Sequence, residues 1–444
     1  MALTGLDIYK LLPKTNCKKC GFPTCLAFAM ALANKKTSLD KCPDISEESK
    51  VALESASEPP IRTITIGAED NKIELGGETV LYRHEKTFVH PCGLGVCFSD
   101  NLSTNELNNK INNFNNLTFE RVGKKERVEL ILVKNDSGDS SKFVNIITEL
   151  KNRTKAIFIL ESKNLSALEE GLKILKDNHC AIGYADSSNI DQMTNLAKTY
   201  NAVLIVTGDN LDDIAKLVQK IVSSGYREIM IDLTRTGNIL ENLIQVRRLA
   251  LKKSYRLLGY PTMVSITGDD DYDLISMSIT YIEKYASVVI LPEPINWQFL
   301  PLVTLRQNIY TDPQKPVTVE PKLYTIGGQP TDKSPLLVTT NFSLTFYTVE
   351  PEIINSKMPS WLLVVDSDGL SVLTAWAAEK FTPERIFDAM KKCNVESTVS
   401  HRKLIIPGYV AVMSGKLNDL TGWEVLVGPR EASGIPKFLK TIWQ

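Results

Sequence analysis

From about residue 80 to 310, short and almost wholly apolar runs alternate with amphipathic stretches, and this alternation constrains the fold more than any other feature of the chain. The runs are Thr87–Val89, Val128–Val133, Ala156–Leu160, Cys180–Tyr184, Ala202–Val206, Ile229–Leu233, Met263–Ile266 and Val288–Leu291. Between them lie helical patterns such as Ser166–Asp177, Asp209–Val222 and Asn238–Lys252. A strand without a polar face must be covered on both sides. A helix after each strand supplies the cover and returns the chain for parallel pairing. Eight such units in about 220 residues predict a closed (β/α)8 barrel, and an open doubly wound sheet is the alternative arrangement of the same units.

The chain has 444 residues, which at about 150 per domain suggests about three domains. Lys and Arg number 51 and Asp and Glu 52, so the net charge is −1 and no broad basic face for nucleic acid is expected. No run of about 18 uncharged apolar residues predicts a membrane span. Met1–Asp7 lacks the basic and apolar regions of a signal peptide. The expectation is a cytoplasmic protein.

The first region, 1–58, is short and cysteine-bearing. Asp7–Leu12 predicts a helical turn ended by Pro13, and Cys25–Asn34, with Leu26, Ala29, Met30 and Ala33 apolar, predicts a packed helix. A unit this small builds a marginal core, so a metal staple is expected. Glu58-Pro59-Pro60 marks a boundary. Arg62–Ile66 and Lys72–Leu75 alternate around Glu69-Asp70-Asn71 and predict a β-hairpin. Beyond the barrel region, Pro313-Gln314-Lys315-Pro316, Pro321, Gly327-Gly328-Gln329-Pro330 and Pro335 form a Pro/Gly-rich connector. Strand patterns at Leu336–Thr340, Leu362–Asp366, Leu404–Ile406 and Trp423–Val427 follow. With helical patterns at Leu370–Lys380, Pro383–Cys393, Val410–Leu417 and Ala432–Thr441, they predict a small open α/β sheet, Rossmann- or flavodoxin-like.

Four of the 8 cysteines fall early, as Cys17-Lys18-Lys19-Cys20-Gly21-Phe22-Pro23-Thr24-Cys25 and Cys42-Pro43. In a reducing compartment such crowding favours metal ligation over disulfides. Four thiolates complete one tetrahedral ion or one cubane cluster. Gly21 and Pro23 let the chain wrap, and Lys14, Lys18 and Lys19 offset thiolate charge. Cys25 opens a helix, whose N-terminus does the same. Structural zinc and buried free thiols are the alternatives. The asymmetric spacing and the proline after the last cysteine favour a 4Fe-4S cluster. Cys92–Cys97 reads as small buried residues in a loop after the first barrel strand, with His90 the one further ligand nearby. Cys180 and Cys393 read as core thiols.

Barrel chemistry belongs at the carboxyl ends of the strands. Those ends carry Glu161, Asp186, Asp209, Asp232, Asp269, Asp270, Asp271 and Glu293. Such groups suit pterin binding or acid–base work, but Asp before a helix more often caps it. With 4 His (His84, His90, His179, His401) no Ser-His-Asp arrangement is argued, and no phosphate-binding loop occurs. No catalytic residue is assigned.

In the C-terminal sheet the loops at the strand ends are Thr340–Ser343, Ser367–Thr374, Pro407-Gly408 and Gly428–Gly434. They hold small, hydroxyl and aliphatic side chains, with Asp368, Arg430 and Glu431 as the charges. Such a rim suits a large, flat, mostly neutral macrocycle. The dinucleotide fingerprint is absent, as is the Asp-x-His-x-x-Gly that supplies a cobalt ligand. A corrinoid here therefore lacks a histidine lower ligand, which makes reduced cobalt easier to reach. A purely structural domain is the alternative.

With all three regions placed, the whole chain resembles the large-subunit family of the corrinoid iron–sulfur protein of the acetyl-CoA pathway. The archaeal counterpart is the gamma subunit of the acetyl-CoA decarbonylase/synthase complex. The likeness is sharpest at Asn16–Cys25 with Cys42-Pro43, and is supported by Leu336–Phe342 and Val365–Trp376. It implies a 4Fe-4S domain (1–58), a (β/α)8 barrel with an N-terminal hairpin (59–318) and a corrinoid-binding domain (319–444). It implies a heterodimer with a smaller barrel subunit that caps the corrinoid. It also implies a carrier role: Co(I) takes a methyl group from methyltetrahydrofolate through a separate methyltransferase and passes it to acetyl-CoA synthase. The cluster on Cys17, Cys20, Cys25 and Cys42 returns oxidised Co(II) to Co(I). A corrinoid domain on a Pro/Gly connector can swing between two active sites. Thr374 is placed beside the ring face. Thr340, Phe346, Leu370, Ser371, Val372, Leu373 and Gly434 are further contact candidates. Asn341, Phe342, Gly369, Pro407, Gly408, Gly428, Pro429, Arg430, Ala432 and Ser433 complete the rim. Three competing readings are an iron–sulfur electron-transfer subunit without corrinoid, a pterin-binding barrel methyltransferase and a zinc-stapled scaffold.

Overall fold

In the computed structural model, residues 5–33, 36–46, 49, 53, 59–312 and 314–443 are described; Asn34, Glu58 and Pro313 of the expected helix end, boundary and connector lie outside them. The chain divides into two units, Met1–Phe119 with Glu126–Tyr310, and Glu120–Lys125 with Thr311–Gln444. Among the described residues no helix is long and apolar enough to cross a membrane.

The cysteine-bearing segment has helices α1 (Gly5–Leu11) and α2 (Cys25–Ala33) around its own small core of Ile8, Leu12, Phe28 and Ala29, which also takes in Cys25 and Cys42. Strands β1 (Ile64–Ala68) and β2 (Asn71–Leu75) form the expected antiparallel hairpin. Ile64, Ile66 and Leu75 share a core with Leu130, Ile157, Val203 and Val288 from inside the barrel, so the hairpin plugs the barrel's amino-terminal end.

The barrel begins with β3 (Gly93–Ser99), and a two-stranded hairpin, β4 (Thr118–Arg121) and β5 (Lys124–Arg127), follows. The remaining barrel strands are β6 (Leu130–Lys134), β7 (Ile157–Glu161), β8 (Ala181–Ala185), β9 (Val203–Val206), β10 (Ile229–Asp232), β11 (Thr262–Ser265) and β12 (Val288–Leu291). All neighbours are parallel, and β12 pairs with β3 to close the ring. Closure settles the choice between a barrel and an open sheet. Every strand has a covered outer face, against helices such as Ser140–Arg153 and Leu211–Ser223, and a filled inner one, which explains the unbroken apolar runs.

One strand differs from expectation. Thr87–Val89 is not the first barrel strand, and Cys92–Cys97 is not a loop; Gly93–Ser99 is the strand. Its glycines are a packing requirement. A Cβ on Gly95 would stand 2.4 Å from Ile290 Cδ1, and one on Gly93 2.8 Å from Leu130 Cδ1. Glycine in a strand marks such close approach as readily as it marks a turn.

The second unit is a five-stranded sheet of β13 (Leu323–Ile326), β14 (Leu336–Thr340), β15 (Ser360–Val365), β16 (Lys403–Ile406) and β17 (Glu424–Val427). Their order is β13-β15-β14-β16-β17, with β13 antiparallel at the edge and the others parallel. The Pro/Gly-rich stretch is therefore less of a connector than expected, since β13 lies within it. Helices cover both faces, giving one core around Phe381 and Trp423 and another around Phe346 and Ile353. From β14 the chain pairs β15 on one side and β16 on the other. In open α/β sheets this reversal opens a crevice at the carboxyl ends of the strands.

Candidate functional site

The crevice is real. A cavity of about 350 Å³ lies against Leu337, Val338 and Thr339 of β14 and Ile405 and Ile406 of β16. Helix Ser343–Ser356 walls it with Leu344, Thr345, Thr348 and Val349. Ser371, Val372, Leu373, Pro407, Tyr409, Gly428, Pro429, Arg430, Ala432 and Ile435 form the rest. Two loops meet at its lip with no room for side chains. A Cβ on Gly408 would lie 2.5 Å from the Gly428 carbonyl oxygen, and one on Gly428 3.0 Å from that of Ile406. The lip is apolar and open: Leu344 is 56% exposed, Leu373 46% and Tyr409 41%. The Tyr409 hydroxyl donates to Glu431 Oε1 at 2.5 Å, which fixes the ring at the rim. Thr339, almost fully buried, has a hydroxyl without a hydrogen-bond partner beside this space.

Of the residues expected at this rim, Ser371, Val372, Leu373, Pro407, Gly428, Pro429, Arg430 and Ala432 line the cavity together. Thr374 sits next to them, its hydroxyl 3.0 Å from that of Ser371. Gly408 lies close against the Pro429 backbone and Gly434 against the Pro429 ring, and Ser433 lies exposed in the turn between Ala432 and Gly434. The others lie elsewhere. Thr340 and Asn341 are buried at the end of β14, and Phe342 stands just before the next helix. Phe346 belongs to the core, 4.9 Å from the Tyr324 ring and 5.0 Å from that of Tyr347. Gly369 packs against Pro316 and Thr318, and Leu370 against the core. The sequence reading missed the helical wall. Pro351 within the helix breaks its pattern, although Leu344 and Thr348 at i, i+4 mark one face.

At the other end of the chain, Cys17 and Cys20 are half-buried and Cys25 and Cys42 are buried. Cys25 and Asn16 clamp one another: the Cys25 N–H donates to Asn16 Oδ1 at 2.8 Å, and the Asn16 N–H to Cys25 Sγ at 3.4 Å. Thr24 Oγ1 accepts the Ala27 N–H at 3.1 Å and anchors the start of α2. Lys19 pairs with Asp44 at 3.0 Å. Burial pushes the Cys42 thiol up; a hydrogen bond from the Asp44 backbone opposes this, and Cys20, Cys25 and Cys17 raise it further. The Cys42 thiol thus senses the other three. Among the described residues no group of three or more His, Cys, Asp or Glu converges on a single-ion position.

At the barrel's carboxyl end, Asp270 caps a helix as expected, accepting the N–H groups of Tyr272 and Asp273 at 2.9 Å each. Next to Asp209 it is Asn210 that caps, through the N–H of Asp213 at 2.9 Å. Asp186 accepts from Ser188, and Glu293 pairs with Lys110 at 2.7 Å. Asp232 and Glu161 cap nothing.

A family model described as "CO dehydrogenase/acetyl-CoA synthase delta subunit" matches residues 63–439, and one described as "Putative Fe-S cluster" matches residues 12–43. The corrinoid/iron-sulfur protein large subunit of Moorella thermoacetica is 45% identical over 442 residues, 99% of either chain. The gamma subunit of the acetyl-CoA decarbonylase/synthase complex of Methanothermobacter thermautotrophicus is 35% identical over 454 residues, again 99% of each. Among solved structures, dihydropteroate synthase of Thermus thermophilus aligns with a TM-score of 0.40 at 12% identity, over 56% of this chain and 100% of that one.

Proposed function

For a chain that belongs to the family of corrinoid/iron-sulfur protein large subunits and their archaeal gamma counterparts, we propose the role of a cytoplasmic methyl carrier. In this reading it takes a methyl group from methyltetrahydrofolate by way of a methyltransferase and hands it to acetyl-CoA synthase. A smaller barrel subunit is its companion. In this reading 1–58 holds a 4Fe-4S cluster, 59–318 is the barrel region and 319–444 a Rossmann- or flavodoxin-like corrinoid domain. When bound, the corrinoid supplies a cobalt that accepts and yields methyl groups, and the cluster supplies single electrons to restore it.

The observation that carries this reading is the cavity at the reversal point of the second sheet, on the same chain as a Cys42 thiol that senses Cys17, Cys20 and Cys25. Its floor is apolar, and its lip offers backbone and hydroxyl groups with Arg430 as the charged side chain in the lining, which suits the face and edge of a mostly neutral macrocycle. Ser371 and Thr374 hold their hydroxyls together at 3.0 Å, so they present a fixed polar edge next to the opening. No imidazole lines the cavity; His401 is engaged with the Ser334 carbonyl at 2.8 Å and the Trp443 ring, which supports binding without a histidine lower ligand.

The thiol donors fit an iron–sulfur cluster. Cys42 interacts electrostatically with Cys17, Cys20 and Cys25, and all four lie within the residues that the Fe-S cluster family model matches. The Asn16 N–H on Cys25 would stabilise negative charge on that sulfur.

The test is metal analysis with a visible spectrum of the anaerobically purified protein and its companion subunit, alongside Thr345→Trp. Cobalt and iron together are expected, with cobalt lost and iron kept in Thr345→Trp because the new ring fills the cavity. Iron without cobalt in the unaltered protein would leave an electron-transfer subunit, and zinc alone a stapled scaffold.

A further inference from the structure

The tip of the β4–β5 hairpin, Glu120–Lys125, belongs by its contacts to the second unit, although the chain on either side of it belongs to the first. It meets helix Ser343–Ser356, whose Leu344, Thr345, Thr348 and Val349 wall the cavity. The meeting point is Tyr347: a Cβ on Gly123 would fall on the Tyr347 hydroxyl and ring. With about 3.6 residues per turn, Tyr347 and Glu350 lie on the helix face roughly opposite the four cavity residues. The helix is thus held between the cavity on one side and the hairpin tip on the other.

The tip is not arranged for its own stability. Both central residues of the turn have positive φ, +48° at Val122 and +67° at Gly123, as a two-residue hairpin loop requires. Glycine takes that conformation freely, but a β-branched valine is strained in it. Glu120 faces Glu350, whose carboxyl is raised by burial and then by that neighbouring charge. Strain and like charge persist at a turn where its placement serves something beyond the turn.

We propose that the hairpin tip positions the cavity wall: Gly123 seats Tyr347, and Tyr347 fixes the helix that presents Thr345 and Thr348 to the ligand. Tyr347 does not line the cavity, so its part is positioning. Its ring stands edge-on to Phe346 at 5.0 Å, and Phe346 packs against Tyr324 at 4.9 Å, so a phenol held by the turn is coupled to the core beneath the helix. The inference rests on the corrinoid reading of the cavity only for what the wall meets; the tie between tip and wall stands on the contact itself. Such coupling is reciprocal, so a macrocycle that steadies the wall also steadies the tip.

The test is hydrogen exchange, read by mass spectrometry on the anaerobically purified full chain with its companion subunit, beside the rate at which corrinoid absorbance is lost on dilution. Gly123→Ala should speed exchange across 343–356 and corrinoid release by about tenfold each, with iron content unchanged. Tyr347→Leu, which keeps an apolar side chain on the helix but cannot reach the turn, should do the same. Adding Gly123→Ala to Tyr347→Leu should speed neither further, because both act through one contact. Gly422→Ala is the control. Gly422 has φ +69° and nothing within reach of a Cβ, so this change imposes the backbone strain without the contact and should leave 343–356 as it was. Unchanged exchange in Gly123→Ala, additive effects in the double variant, an equal effect from Gly422→Ala, or a loosened wall with an unmoved release rate overturns the proposal. A wall loosened by Gly123→Ala in a protein that carries no cobalt upholds the positioning role and overturns the corrinoid reading instead.

Discussion

The side-chain oxygen of Asn341 accepts the backbone N–H of Gly369 at 3.0 Å, and so ties the end of β14 to the loop that follows β15. The same oxygen takes the Ser367 N–H at 3.0 Å and the Ser367 hydroxyl at 2.9 Å, while the amide nitrogen donates to Asp366 at 3.1 Å. Asn341 touches nothing in the cavity, yet the loop it pins runs directly into Ser371, Val372 and Leu373, which do. Its place is that of a positioning residue. Replacing it with Ala strands the buried N–H groups of Ser367 and Gly369, while the Ser367 hydroxyl keeps the Leu370 carbonyl, and should cost about 2–3 kcal/mol in chemical denaturation. Retained cobalt after gel filtration should fall in parallel. Loss of stability with full cobalt retention would show that the loop holds its shape unaided.

Arg306 closes the other unit. Its guanidinium is nearly fully buried and binds Glu129 at 2.6 Å and Glu126 at 2.8 Å, with the Cys92 and Arg127 carbonyls accepting from the same two terminal nitrogens and Nε left without a hydrogen-bond partner. The last barrel helix is thereby fastened to the chain at the start of β3 and β6. Arg306→Met leaves the inner carboxylate without a counter-charge, and a loss of roughly 3–5 kcal/mol is expected. Adding Glu126→Gln and Glu129→Gln should return part of it, because the triple variant no longer buries an unpaired charge. A triple variant no more stable than Arg306→Met would assign the loss to packing.

Cys20→Ala removes one of the four thiols. Iron content should drop, and cobalt, bound more than 300 residues away in sequence on our reading, should stay. Methyl transfer from protein reduced beforehand should survive, and reactivation after oxidation should not. Equal loss of both would mean that the thiol module does more than restore cobalt.

The Glu161 carboxyl makes stability depend on pH in a defined direction. Burial raises it from 4.5 to about 7, so the folded chain keeps a proton that the unfolded chain releases. Its contribution is neutral below about pH 4.5, and stability is lost as pH climbs from there to about 7, by roughly 3 kcal/mol in all. Glu161→Gln removes the penalty. The melting temperature of the variant should match that of the parent near pH 4.5 and exceed it increasingly up to pH 8. A gap that is constant with pH would show that Glu161 is not perturbed.

Much of this fold is legible in the amino-acid order because burial on both faces leaves a local mark. Val288–Leu291 coincides with β12 and Leu336–Thr340 with β14, residue for residue. What escaped depends on distant neighbours. Gly93 and Gly95 look like loop residues until Leu130 and Ile290 are set against them. Leu323–Ile326 is short and flanked by Pro and Gly, and becomes a strand only through its antiparallel pairing with β15. The lip of the cavity was readable because strand ends in such sheets converge by topology. The wall was not, because Pro351 disguised the helix that bears Thr345 and Thr348. Phe346 shows the limit of placing a residue by sequence position alone, since the helix turns it inward, away from the opening.

The division of the barrel lumen into a greasy base and a hydrophilic brim has a structural corollary. Hydrophobic plugging from beneath, by Ile64, Ile66 and Leu75, holds the staves together without help from Glu161 or Ser265. A change of side chain at Glu161 therefore leaves the buried base of the barrel intact.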